Sequence, residues 1–374
     1  LTERRKLLEI ICFKSKEMGG VWGNKIKLSI FGESHGEGIG IVIDGIEPGI
    51  KINMDNIEKD MERRAPGRNS LSTQRKEGDK PEILSGIFNG ITTGAPISMI
   101  IRNTDKRSRD YSKIKDVMRP GHADFPGYIR YNGFNDYRGG GHFSGRITAP
   151  LVFAGALAKE ILKEKGITIG SHIKQVGKVK DSSFDALNLK KEDLEELLTK
   201  ELPVIDTNKI EEIKEEITSY RMEGDSIGGI VECAIVGLEA GIGNPFFDSL
   251  ESTIAHLAFS VPAVKGIEFG AGFDFANMKG SEANDEYFIE DEKVKTYSNN
   301  NGGITGGISN GMPVIFRVVI KPTPSISKEQ RTINIKNMTE EVLSVNGRHD
   351  PCIVQRALVV IEAIAAISIL ELIK

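Results

Sequence analysis

Four short segments of the chain gather side chains that can move protons or hold anions. The first, Phe31-Gly-Glu-Ser-His-Gly, sets His35 between Ser34 and Gly36. Glycine keeps the backbone there open to a ligand, and imidazole exchanges protons near neutral pH. A plain turn histidine fits the same residues equally well. The second, Arg119-Pro-Gly-His-Ala-Asp, brings His122 close to Arg119 and Asp124. A carboxylate there can orient the ring, and a guanidinium can bind an anion. The bland alternative is a Pro-Gly turn carrying solvated charges. The third, Arg138-Gly-Gly-Gly-His-Phe-Ser-Gly-Arg, leads to Pro150 and a helical pattern. Consecutive glycines ahead of a helix present backbone N–H groups to an anion, and Arg138 and Arg146 add charge-assisted bonds. The Gly-Lys-Ser/Thr ending of a P-loop is missing. A triple glycine is rarely justified by packing alone, which points to ligand contact. The fourth, Gly347-Arg-His-Asp-Pro-Cys, places Arg348, His349 and Asp350 before the last helical stretch. Asp350 also reads as the N-cap of that helix, with Pro351 at its first position.

Arginine placement adds to the case for an anionic small ligand. Arg63, Arg64, Arg68 and Arg75 flank Pro66-Gly67, and Arg102, Arg107 and Arg109 follow in the next loop. Guanidinium matches phosphate and carboxylate with paired hydrogen bonds. Solvated charged loops are the commoner fate of such residues. The six histidines form no His-x-x-x-His or His-Glu-x-x-His pair, so no metal is expected. Cys352 follows a proline and reads as a buried thiol rather than a nucleophile.

These segments need elements to position them. Lys25 to Ile30 alternates with period two and predicts a strand, followed by another at Ile39 to Ile43. Asn53 opens an amphipathic helix ending at Arg63-Arg64. Residues 65–146 have little periodicity beyond a strand pair near 82–88 and 96–101, and loops this long usually bind or catalyse. Helices are predicted over 151–165, 190–200, 207–219, 247–259 and from about Ile353, with strands over 228–238 and 313–320. The stretch 277–311 is polar, glycine-rich and loop-like. Gly45-Ile-Glu-Pro-Gly-Ile and Gly237-Leu-Glu-Ala-Gly-Ile each follow a strand and precede a helix. Two related halves explain that repeat, and a chance recurrence of a glycine turn explains it equally well.

Composition bounds the function. The 374 residues carry 49 Lys and Arg against 53 Asp and Glu, a net charge of −4. That balance argues against bulk nucleic-acid binding or a polybasic membrane anchor. Three cysteines without a Cys-x-x-Cys pair fit a reducing cytoplasm. The greasy run from Ala357 to Leu370 contains Glu362 and predicts a buried helix rather than a membrane span. Residues 1–20 read as an N-terminal extension, and 21–374 as a single α+β domain of two packed halves.

Taken in order, Gly32-Glu-Ser-His-Gly, Arg119-Pro-Gly-His-Ala-Asp, Arg138-Gly-Gly-Gly and Gly347-Arg-His-Asp-Pro-Cys resemble the chorismate synthase family. Supporting stretches are Glu82-Ile-Leu-Ser-Gly, Arg102-Asn-Thr-Asp, Gly302-Gly-Ile-Thr-Gly-Gly-Ile-Ser-Asn-Gly and Lys321-Pro-Thr-Pro-Ser. The resemblance runs from about Gly23 to the C-terminus. It implies a 1,4-anti elimination of phosphate from 5-enolpyruvylshikimate 3-phosphate, giving chorismate on the shikimate pathway of aromatic amino acid biosynthesis. It implies a requirement for reduced FMN without net redox change. It implies a β-α-β sandwich, with helices between two antiparallel sheets and internal pseudo-symmetry, assembled as a homotetramer. NADPH enters as a candidate reductant, and an external flavin reductase as a candidate partner.

By the same resemblance His35 protonates the leaving phosphate, and His122 sits at the flavin ring. Asp350 relays the proton removed, with Ser34 and Ser144 assisting. Arg64, Arg68, Arg138 and Arg146 take the substrate. The FMN positions are His142, Phe143, Ser144, Gly306, Lys321, Pro322, Thr323, Pro324, Ser325 and Arg348. The chain departs from the family where many members have Arg-Ser-Ser in place of His142-Phe143-Ser144. It departs again where a loop arginine aligns with Ser70, which Arg68 replaces, and where Asn is common at Pro262. Two other readings compete: an FMN-binding oxidoreductase on this scaffold, and a non-catalytic anion or RNA-binding module. The net charge and the scarcity of aromatics beside the arginines weigh against the second.

Overall fold

The computed structural model describes residues 19–67, 78–104, 115–345 and 350–374. Alternation of apolar and polar residues produces two five-stranded antiparallel sheets. The first contains β1 (Val21–Trp22), β2 (Lys27–Gly32), β3 (Gly38–Asp44), β4 (Glu82–Ser85) and β5 (Ile97–Arg102), in the order β1-β2-β3-β5-β4. The second contains β6 (Thr168–Val176), β7 (Val179–Lys180), β8 (Gly229–Val236), β9 (Val264–Phe269) and β10 (Val314–Ile320), in the order β9-β10-β8-β6-β7. In β3 every second residue, Ile39, Ile41 and Ile43, is buried in the core. In β10, Val314, Phe316, Val318 and Ile320 do the same. That is the period of a pleated strand with one face turned inward.

The longer helices are α1 (Met54–Arg64), α2 (Asp124–Arg130), α3 (Thr148–Lys163), α4 (Lys191–Thr199), α5 (Lys209–Met222), α6 (Leu250–Ser260) and α7 (Val354–Ile373). Of these, α1, α3, α6 and α7 pack together between the sheets. Asn53 caps α1, its side chain accepting from Asp55 N at 3.0 Å. α3 and α7 are buried nearly all round and cross each other at the centre, α3 also touching the first sheet and α7 the second. That burial accounts for the greasy C-terminal run. Among the described residues no helix is long and apolar enough to cross a membrane. α4 lies on the outer face of the second sheet, where Leu194 and Leu197 pack with Phe184 and Ile315.

The two sheets are topological copies. β2, β3, α1, β4, β5 and α3 follow one another in the first half, and β6, β8, α6, β9, β10 and α7 in the second. Strand neighbours match as well, β2-β3-β5-β4 against β6-β8-β10-β9. The repeated turns occupy equivalent places after β3 and β8. Gly45 and Gly49 have φ +91° and +87°, Gly237 and Gly241 φ +85° and +99°. Only glycine adopts that backbone without strain, so the same residue recurs at the same two steps.

Several expectations change. The stretch 277–311 holds two short hairpins, Tyr287–Glu290 with Lys293–Thr296 and Ile304–Thr305 with Ile308–Ser309. Strands β6 and β9, helix α2 and a hairpin of Gln330–Asn334 with Thr339–Leu343 had no counterpart in the sequence reading. Asp350 does not cap α7, which starts at Val354 and has no side-chain cap.

Candidate functional site

The triple glycine is explained by what it passes. Gly139, Gly140 and Gly141 all have positive φ, at 61°, 84° and 54°. A Cβ on Gly139 would stand 2.2 Å from the His35 ring, and one on Gly140 would stand 3.2 Å from the His122 ring. The strip therefore threads between the two histidines, and both left-handed backbone and lack of side chain are required. Its end is pinned back onto the His35 turn, with Ser34 N donating to Gly141 O at 3.1 Å and His142 Nδ1 lying 2.8 Å from Gly32 O. His35 and Ser34 are both buried behind the glycines.

His122 belongs to a charged triad within its own turn. Its Nδ1 lies 2.7 Å from Asp124 Oδ1 and 3.2 Å from Arg119 Nη2. Arg119 grips the same carboxylate, from Nε at 2.7 Å and from Nη2 at 2.8 Å, and Nη1 reaches Ser325 Oγ at 3.4 Å. Burial opposes ionisation of Asp124, but hydrogen bonds from His122 and Arg119 outweigh it and hold the carboxyl well below the usual range. A carboxylate on Nδ1 fixes the proton there and turns Nε2 outward. Lys321 approaches from the second half, its Nζ donating to Gly121 O at 2.6 Å.

On the other wall, Arg64 ends α1 and Arg146 precedes α3. Arg64 donates from Nη2 to Gly145 O at 3.1 Å and from Nε to Thr148 Oγ1 at 3.3 Å. Both arginines pair with the buried Asp79. Arg356 on α7 donates from Nε to Arg64 O at 3.0 Å and pairs with Asp350. Asp350 thus serves as an ion-pair partner where the sequence suggested a helix cap.

These walls enclose a cavity of about 890 Å³ where the N-terminal ends of α3 and α7 converge. Both halves of the chain line it. Among the described residues its lining includes Arg64, Arg119, Arg146, Lys265, Lys321 and Arg356 against a single carboxylate, Asp350. Two helix N-termini add to this positive potential. The cavity is therefore built for an anionic ligand. Gly19, Gly20 and Trp22 contribute as well, and Trp22 packs edge-on against His256 with ring centroids 6.4 Å apart.

The expected site residues divide as follows. Arg64, His122, His142, Phe143, Ser144, Arg146, Lys321, Thr323, Pro324, Ser325 and Asp350 line the cavity. Ser34 and His35 stand one layer behind, against Gly139, which lines it. Arg138 is turned to Asp136, at 2.7 Å, and does not line the cavity. Pro322 is flanked by lining residues without being one. Gly306 lies in the turn of the Ile304–Thr305 and Ile308–Ser309 hairpin, away from the cavity. Arg68, Ser70 and Arg348 lie outside the described residues. Sequence reasoning missed Asp79, Asn103 and Lys265. Asn103 sits in the Arg102-Asn-Thr-Asp stretch with no role assigned to it, and Asp79 and Lys265 sit in no motif, so only their surroundings reveal them. Cys352 is a buried thiol pushed up to about 12 by burial, as expected of a packed rather than a reactive cysteine. No group of metal-ligating side chains occurs among the described residues.

The comparisons with known proteins agree with this geometry. The sequence model of the chorismate synthase family matches residues 26–373. A chorismate synthase of Pyrococcus abyssi is 49% identical over 345 residues, covering 92% of this chain and 94% of its own. One of Thermococcus kodakarensis is 44% identical over 350 residues, covering 93% and 96%. A crystal structure of a chorismate synthase superposes with a TM-score of 0.74 at 30% identity, covering 94% of this chain and 92% of its own. A match over nearly the whole length, on a fold whose cavity gathers cations from both halves, means that this chain belongs to the chorismate synthase family, lyases that eliminate phosphate from 5-enolpyruvylshikimate 3-phosphate to give chorismate on the shikimate pathway.

Proposed function

We propose that the family reaction takes place in the α3–α7 cavity with reduced FMN bound beside the substrate. The carrying observation is the convergence there of six cationic side chains with His122 around a cavity of about 890 Å³. Pockets for one drug-sized ligand span ~300–1,000 Å³, and this cavity lies near the top of that range. The residues suit a flavin mononucleotide. Lys321, Thr323 and Ser325 offer a cation and hydroxyls, and Thr323 Oγ1 is buried with no hydrogen-bond partner among the described residues. Phe143, Pro324 and Val264 supply apolar surface for a ring system. When bound, reduced FMN lends electron density to the allylic system and recovers it.

The rest is the work of this chain. Arg64 and Arg146 hold the substrate's phosphate and carboxylates, whose three anionic groups match the excess of positive charge. His122, with its Nδ1 proton fixed by Asp124, presents Nε2 to the cavity as a proton donor or acceptor. His35 supplies a proton for the leaving phosphate, and Ser34 and Ser144 assist. Asp350 accepts a proton at a carboxylate oxygen already polarised by Arg356. By the family resemblance, Arg68 binds substrate and Arg348 binds FMN.

The assembly is a homotetramer, supported by large apolar side chains such as Phe134, Phe246 and Phe247 that stand 91%, 85% and 92% exposed on a single chain. Cys233 and Cys352, unpaired and buried, fit a reducing cytoplasm. NADPH or an external flavin reductase keeps the FMN reduced, and NADPH consumption by the purified protein distinguishes the two. The test of the function is an anaerobic assay with 5-enolpyruvylshikimate 3-phosphate and dithionite-reduced FMN, following chorismate and phosphate together. Equal release without net flavin oxidation is the expected result. Folded, flavin-bound protein that yields neither product would overturn the reading.

A further inference from the structure

We infer that Asp79 is a positioning residue that sets the two substrate-binding arginines and ties them to the His35 turn. Asp79 comes from the segment before β4, and its side chain is fully buried. One oxygen pairs with Arg64 and the other accepts from Arg146 Nη1 at 2.7 Å. The two guanidiniums, from different elements, are thus clamped across a single carboxylate. Arg146 carries the link further. Its Nε donates to Asn103 Oδ1 at 2.6 Å, and Asn103 Nδ2 donates to Glu33 O and Gly36 O at 2.9 and 3.1 Å. Those two carbonyls bracket Ser34 and His35. A continuous chain of hydrogen bonds therefore runs from the arginines to the turn carrying the proposed proton donor.

Two opposed effects decide what Asp79 does for the substrate. Its negative charge reduces the pull of the arginines on an anion. Its two oxygens hold them in one geometry against their mutual repulsion. A guanidinium has five N–H donors, and Arg64 commits three of its bonds to Asp79, Gly145 and Thr148. The donors that remain face a ligand only while the fork is held still. Without Asp79 two buried cations stand side by side and must turn away from each other. For paired, directional bonds to an oxyanion, lost alignment outweighs gained charge.

This role rests on the proposed binding of substrate by Arg64 and Arg146. The test compares wild type with Asp79→Asn, which keeps shape and removes charge, and with Asp79→Glu, which keeps charge and shifts it by one methylene. Calorimetric binding of 5-enolpyruvylshikimate 3-phosphate, fluorimetric binding of FMN, and KM and kcat are measured on each. The expected result is a rise of about tenfold or more in substrate Kd and KM in both variants, with FMN affinity unchanged within about twofold. A purely structural residue would weaken both ligands together. Unchanged substrate affinity in either folded variant overturns the role while leaving the function standing. Wild-type protein that neither binds nor converts the substrate overturns the function and this role with it. If Asp79→Asn does not fold, Asp79→Glu carries the same two outcomes.

Discussion

At the scale of single residues, the site is a set of charges that are useful because they are paired. His122 would be an ordinary turn histidine without Asp124, whose carboxylate touches Nδ1 and is itself held by Arg119. Asp124→Asn removes the charge while leaving the turn intact. General acid–base groups contribute roughly 10²–10⁴-fold to rate. We therefore expect kcat to fall by about 100-fold in Asp124→Asn, with substrate KM changed by much less, because the arginines on the opposite wall are untouched. Steady-state kinetics on variant protein whose circular dichroism matches wild type checks this. A variant with wild-type kcat would show that His122 needs no carboxylate. The glycine strip shows the same dependence in steric form. Gly139 is fixed by the His35 ring at 2.2 Å from its missing Cβ, so the backbone conformation and the His35 side chain specify one another.

At the scale of elements, the crossing of α3 and α7 holds the cavity in place, since the N-terminal ends of both helices line it. Gly155 makes that crossing close. A Cβ there would stand 2.2 Å from Ala363 Cβ and 2.3 Å from its Cα. Alanine normally gains about 1 kcal/mol over glycine inside a helix. Overpacking a tight core costs ~1–3 kcal/mol, and backbone atoms cannot rotate away. The clash wins, so Gly155→Ala should lower the thermal midpoint by several degrees, and adding Ala363→Gly should restore only a small part of it, because the backbone Cα of residue 363 still stands 2.3 Å from the new Cβ. Calorimetry of the single and double variants decides; a single variant as stable as wild type would mean that the helices simply move apart. The sequence made some of these elements plain and hid others for physical reasons. The Asn53 cap and the Lys25–Ile30 alternation are local signals: the first marks the start of α1, and the second marks a real strand whose bounds, Lys27–Gly32, lie two residues further on. Strand β6 and the hairpin at 330–343 carry polar residues on the face that another element or solvent covers, so their periodicity is broken. The four motif segments were legible because glycine and histidine are rare in combination. Asp79 was not, because a lone aspartate beside a glycine acquires its role only from partners that are distant in the chain.

At the scale of the whole molecule, the layers are joined by buried ions, and their titration sets where the fold is stable. Glu362, in the middle of α7, is fully buried. It receives Arg63 from α1, Lys159 from α3 and Ser171 from β6. Burial alone would raise its pKa, but Arg63 and Lys159 outweigh that and bring it down to about 2. A carboxyl lowered on folding adds stability above its unfolded value near 4.5 and loses it as pH falls through the folded value. That contribution is lost progressively between those limits. His172, sandwiched between Asp181 at 3.0 Å and Glu232 at 2.9 Å, works with the opposite sign. Burial opposes its charge, yet the two carboxylates raise its pKa. Its contribution is complete below the unfolded value near 6.5 and fades as pH climbs through the folded one. Together they predict a stability plateau with separate acid and alkaline limbs. Glu362→Gln separates them. It strands Arg63 and Lys159 with Asp60 as their remaining carboxylate, so at neutral pH it should destabilise the chain by roughly 3–5 kcal/mol. It should also make the acid limb shallower without removing it, since Asp124, Asp181 and Glu232 are lowered on folding as well, and leave the alkaline limb unchanged. Denaturant unfolding at intervals from pH 3 to pH 9 reads both limbs. An acid limb as steep in Glu362→Gln as in wild type would place the acid-sensitive group elsewhere in the molecule.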